Sequence, residues 1–351
     1  VGLFSWLAEM MVDGYSCVSC RERKAIMQKT FQVYADDPDT LRIAAEEERA
    51  NVRPLAAWLL LLGSIALGLL VAIFWRADIV DQDIGFTVAG TILPGSTAHG
   101  WTVANAWTGL VFAIAAGLGT TFTACNCAVF SCIAPLSSQK GQTRMGIGRL
   151  LLWMALGVVC VTAVYGIAGA VLSKQLPSLS TAVLPALEGS ARGGIPIRLL
   201  QSSTVFVALG VLLLYWGLVA LQMAVNPLKR FVQRRPWIVP LSLGVVVGFF
   251  TVGRPYPLFR TLFQYSADTG NPLLAGVLIA LQGLCNIALM ALLFWLLTWG
   301  TRGRFERWML AHPFSAKAFT ALSVIGAGTF LIAYWGLRLY ANYGIGWFPH
   351  I

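Results

Sequence analysis

Charge is scarce in this 351-residue chain: only 11% of its residues are Asp, Glu, Lys or Arg, where an average soluble domain has about 25%. A water-soluble fold of this length needs a charged skin, so the shortage excludes an ordinary soluble enzyme. Histidine is almost missing, with three residues, too few for a multi-haem relay, and haem is not expected. The seven cysteines sit in an apolar chain and do not suggest a secreted disulfide framework. The opening VGLFSWLAEMM lacks a basic n-region and a small-residue cleavage site, which predicts no cleavable signal peptide. Barrel-like alternation is lacking too, so segments that cross a bilayer have to be helices, whose backbone groups pair internally.

What the chain has instead is apolar surface: 57% hydrophobic residues and a mean hydropathy of +0.72. Seven segments, at 55–75, 104–133, 150–172, 204–224, 237–263, 273–299 and 316–340, reach the length that a hydrocarbon core requires, roughly 20 residues. Trp58, Trp75, Trp107, Trp237, Trp299 and Tyr340 stand at their ends, suited to the headgroup level. The net charge of +10 raises the question of nucleic acid. Its placement answers otherwise, because Lys140, Arg144 and Arg149, then Lys229, Arg230, Arg234 and Arg235, then Arg302, Arg304, Arg307 and Lys317 fill alternate loops. Such alternation orients membrane helices with the basic loops cytoplasmic. No nucleic-acid partner is expected. The fold class read from this pattern is an all-α polytopic protein of the plasma (inner) membrane, with its N-terminus cytoplasmic and its C-terminus extracytoplasmic.

Four regions follow. Residues 1–54 form a cytoplasmic extension, 55–75 a leader helix, 104–340 a six-helix transmembrane domain and 341–351 an extracytoplasmic tail. The extension carries Cys17 and Cys20 as a C-x-x-C followed by Arg21, Arg23 and Lys24. Basic neighbours favour thiolate, which suits redox exchange or metal binding. Two thiolates are half of a structural zinc site, so a shared metal here would draw its other ligands from a partner.

Within the six-helix domain an internal repeat stands out. The run Gly117-Leu118-Gly119-Thr120-Thr121-Phe122-Thr123-Ala124-Cys125 aligns with Gly248-Phe249-Phe250-Thr251-Val252-Gly253-Arg254-Pro255-Tyr256. The two runs open three-span units of opposite orientation, so the expected plan is seven transmembrane helices, a leader plus an inverted 3+3 repeat. Such folds hold their site where broken helices meet. The first spot groups Cys125, Cys127 and Cys132 near Asn126. In an unbroken helix Cys125 and Cys132 lie about 10 Å apart along the axis, beyond disulfide reach; small apolar packing residues are the plain alternative. The second spot sets Arg254 among Gly253, Pro255, Tyr256 and Pro257. The prolines break the helix, and an arginine inside a membrane must find an anion, a thiolate, backbone carbonyls or water. Cys160 and Cys285 stand alone in apolar spans and read as packing residues. Both repeat runs are predicted to break and to meet near the middle of the protein.

This arrangement resembles the CcdA/DsbD transmembrane family of cytochrome c biogenesis and thiol–disulfide interchange proteins, over about 104–340. The resemblance implies two inverted three-helix repeats, each opening with a Gly/Ser/Thr-rich helix that ends in a Pro-Cys pair. It implies passage of electrons from a cytoplasmic thioredoxin-like donor to an extracytoplasmic thiol protein. Cys125 occupies the first cysteine position, with Ala124 in place of the proline, and Pro255-Tyr256 occupies the second, with tyrosine in place of the cysteine. Three functions follow as expectations. One is a thiol carrier, with Cys17 and Cys20 receiving reducing equivalents and Cys125, paired with Cys127, Cys132 or Cys285, passing them outward, and with Arg254 and Tyr256 at the central site. The second is a non-catalytic subunit of a larger membrane complex, and the third a transporter of a small anion or metal ion.

Overall fold

The computed structural model describes residues 54–76, 79, 83, 85–93, 103–121, 147–172, 175–176, 179–185, 194–225, 235, 237–254, 256–301 and 313–349. The C-x-x-C extension and the cluster Cys125, Cys127 and Cys132 lie outside them, as does Pro255. The described elements are helical: α1 (Pro54–Phe74), α2 (Gly85–Ile92), α3 (Ala106–Gly119), α4 (Ile147–Leu172), α5 (Ile197–Ala220), α6 (Ile238–Gly253), α7 (Pro257–Asp268), α8 (Pro272–Gly300) and α9 (Pro313–Leu331). The last continues through a π-helical stretch, Ile332–Arg338, into a final turn, Leu339–Ala341. An isolated antiparallel bridge joins Val183 to Pro196. Among the described residues five helices are long and apolar enough to cross a membrane, or six if the bent pair α6–α7 counts as one span. These are the features of an all-helical, multi-pass membrane protein.

Local sequence explains the helix ends. At the start of α3 the Thr108 amide donates to Asn105 Oδ1 at 2.9 Å while the Asn105 amide donates to Thr108 Oγ1 at 3.0 Å, a reciprocal cap that satisfies two orphan donors. Between α7 and α8, Gly270 takes the left-handed conformation at φ +62°, which only glycine adopts without a Cβ penalty. Asn271 Oδ1 then accepts from the Leu273 and Leu274 amides at 3.1 and 3.2 Å, and Pro272 begins α8 in the position where its missing N–H costs nothing.

Helix α8 packs against α4 and α3, α6 against α4, and α9 against α5 and α1. One apolar cluster gathers Met154, Phe206, Val247 and Phe250; another gathers Phe112, Tyr256, Phe263 and Leu278. The opposite faces stay apolar and uncovered, as with Leu55, Trp58, Leu59 and Leu62 of α1, surface that lipid covers at no cost.

Two helices differ from the hydropathy reading. Helix α5 starts at Ile197 and includes Arg198, before the apolar run at 204, because a helix end tolerates a cation that a bilayer centre does not. Helix α2 lies in a stretch read as a loop; with Ala89 and the following Leu93 buried, it packs on α3.

Candidate functional site

The predicted break in the second repeat run is present: α6 ends at Gly253, α7 starts at Pro257, and the two axes turn by 87°. In the first run α3 stops at Gly119, and Thr120 is its C-cap. The Thr120 Oγ1 lies within hydrogen-bond distance of the Ala116 and Gly117 carbonyls at 3.1 and 2.9 Å and of Asn286 Oδ1 at 3.0 Å. Asn286 Nδ2 donates to Thr251 Oγ1 at 3.0 Å, and that hydroxyl donates to the Val247 carbonyl at 3.0 Å. One asparagine of α8 thereby joins Thr120 to Thr251, the two threonines that the repeat alignment set opposite each other. All three are buried, where hydrogen bonds satisfy polar atoms that would otherwise be costly.

Tyr256 occupies the corner between α6 and α7 and is 2% exposed. Its ring stacks on Phe86 of α2 with centroids 6.1 Å apart, and the Arg254 guanidinium carbon lies 5.6 Å from its ring centroid, within cation–π range. A Cβ added at Gly85 would come within 2.5 Å of the Tyr256 hydroxyl and 3.0 Å of the Gly119 carbonyl. The first turn of α2, the end of α3 and the phenol therefore meet at one point, which no larger residue at 85 leaves room for. Among the described residues this is where Gly119, at the end of α3, and Tyr256, at the α6–α7 corner, come together.

Gln282, one turn before Asn286 on α8, is fully buried, with neither amide oxygen nor nitrogen hydrogen-bonded. Gly117 lets α3 approach this stretch of α8: a Cβ there would lie 2.5 Å from both the Gln282 carbonyl and the Cys285 Cβ. Cys285 is a partly buried free thiol, while Cys160 is exposed on α4 and so turned outward rather than into the core. No group of three or more His, Cys, Asp or Glu side chains able to hold a metal occurs among the described residues.

Arg254 and Tyr256, two of the residues singled out in the sequence, are brought together; Cys125, Cys127, Cys132, Cys17 and Cys20 lie outside the described residues. The sequence reading missed Asn286, Gln282 and α2. Single amides in a long apolar run carry no motif, and their signal is only that amides are rare at membrane depth. Searches against protein-family models, curated proteins and solved structures find no match for this chain.

Proposed function

We propose that the chain is built on the CcdA/DsbD plan, a leader helix followed by two inverted three-helix repeats, and that it serves as a non-relaying integral subunit of a larger membrane assembly. The observation that carries this reading is Tyr256. It stands where the family has its second cysteine, it is buried, and its hydroxyl is wedged against Gly85 and Gly119. A phenol neither forms nor attacks a disulfide. The packing pattern supports the repeat: exchanging α3 with α6, α4 with α8 and α5 with α9 turns the α3–α8 contact into the α6–α4 contact and leaves α4–α8 and α5–α9 unchanged. With basic loops cytoplasmic, the N-terminus lies inside the plasma membrane and the C-terminus outside.

A second reading, the thiol carrier, is favoured by Cys285, whose Cβ abuts the backbone of α3 at Gly117, eight residues before Cys125. In that reading Cys17 and Cys20 are oxidised to a disulfide as they reduce a membrane disulfide involving Cys125. Affinity purification from native membranes, with alkylation of free thiols before lysis, separates the two. The subunit reading expects partner chains at fixed stoichiometry and Cys125→Ser without effect on them or on extracytoplasmic thiol status. Loss of thiol transfer in Cys125→Ser, with Cys160→Ser unaffected, overturns it in favour of the carrier.

A further inference from the structure

We propose that the cavity between the start of α5 and the α6–α7 bend is a binding site for a phosphate-class oxyanion. It measures about 330 Å³ and is lined by Arg198 of α5, Arg254 at the bend and Arg260 of α7, together with Gln201, Ser202 and Gln264. Among the described residues that line it there is no carboxylate. Its inner wall is buried, with Ser202, Phe259 and Phe263 each under 5% exposed, while Pro257 and Gln264 are exposed at its rim. Three arginines from two separate chain segments thus line one partly desolvated space.

That grouping has a cost. Like charges repel, and Arg198 acts electrostatically on Arg260 across the cavity. An arginine in an apolar span is retained where it pairs, lines a wet cavity or serves a ligand. Arg260 Nε is buried without a hydrogen-bond partner, so an edge of that guanidinium is left with donor capacity unused. A planar fork with adjacent N–H groups matches an anion that presents several oxygens, bidentately, and matches a halide poorly. Gln201 and Gln264 add neutral donors, and the volume holds a tetrahedral oxyanion with part of its hydration, since one water's share is about 30 Å³. The same chemistry is offered by free phosphate and by a phospholipid headgroup entering at the rim. The site adjoins the Tyr256 corner through Arg254 but does not depend on whether the chain carries thiols.

The test uses the full chain purified into nanodiscs of zwitterionic lipid. Inorganic phosphate is titrated at constant ionic strength, with chloride as the reference anion, and the unfolding midpoint is followed by tryptophan fluorescence. A saturable rise with phosphate and none with chloride is expected, and Arg198→Gln/Arg260→Gln should weaken the apparent affinity by roughly tenfold or more, the loss of charge-assisted hydrogen bonds. Arg260→Lys keeps the charge, removes the fork and should fall between; it decides the matter if the double variant does not fold. In nanodiscs containing anionic phospholipid, a headgroup occupant would abolish the phosphate response and appear by native mass spectrometry as lipid retained by the wild type and lost from the variants. A phosphate response that persists there identifies the free ion as the occupant. Equal responses in wild type and variants, or neither response nor retained lipid, overturn the proposal.

Discussion

Gln282 shows most plainly how a single residue here departs from packing economy. Its amide is fully buried with both polar atoms unpaired, a condition that costs about 1–3 kcal/mol. Replacing it with methionine, of similar length and no polar atoms, should leave stability unchanged or raise it by about 1–2 kcal/mol. Chemical denaturation in detergent measures this, and a loss of more than about 1 kcal/mol would mean the amide has a partner in the folded protein. Asn286 is the contrasting case, because both ends of its amide are engaged, by Thr120 and Thr251. Its neighbours were legible in part: the alignment of Gly117–Thr120 with Gly248–Thr251 paired the two threonines, but nothing in either run indicates that an asparagine of α8 joins them. That residue lies 35 positions from Thr251 and 166 from Thr120, a separation no local pattern spans.

Between elements, close approach and end-capping carry the argument. Gly244 of α6 faces the backbone carbonyl of Met154 on α4, and backbone atoms cannot swing aside as a side chain can. Gly244→Ala should therefore push the helices apart and destabilise by on the order of 1–3 kcal/mol. Gly63→Ala in α1, where a new Cβ meets nothing within 4 Å, should be neutral or gain up to about 1 kcal/mol from helix propensity. Parallel thermal unfolding of the two variants checks the contrast. The leader is tied down differently. The π-helical stretch after α9 sets Arg338 so that one Nη donates to the carbonyls of Ala72, Ile73 and Trp75 at 2.8, 3.3 and 2.8 Å, a cation on the negative end of α1. Arg338→Met should cost about 1–2 kcal/mol and expose the residues after α1 to protease faster than in the wild type. Unchanged proteolysis would mean that α1 is held by its contact with α9 alone. Five long apolar helices were plain in the hydropathy, whereas α2 was not: eight residues with two glycines and two threonines have neither the length nor the period that marks a helix in sequence.

For the whole molecule, the alternation of basic loops makes a prediction independent of any site. Reporter fusions at Gln233 and Asp268 should read cytoplasmic and extracytoplasmic respectively; the reverse result would invert the topology and, with it, the direction of any transfer across the membrane. By itself the sequence determined the class of solvent, the positions of five long apolar helices and the break between Gly253 and Pro257. Each of these rests on composition or on neighbours within one or two helical turns, where hydrophobicity, proline geometry and propensity act directly. Only the tertiary structure decided that Tyr256 closes the corner against Gly85 and Gly119, that Asn286 joins the repeat runs, and that Arg198 meets Arg254 and Arg260 around one cavity. Those relations depend on which faces of separate helices meet, and in a chain whose long spans are apolar all round, those helices have no face marked in advance. Small residues and single polar groups choose the contact, and their choice is expressed only once the helices have packed.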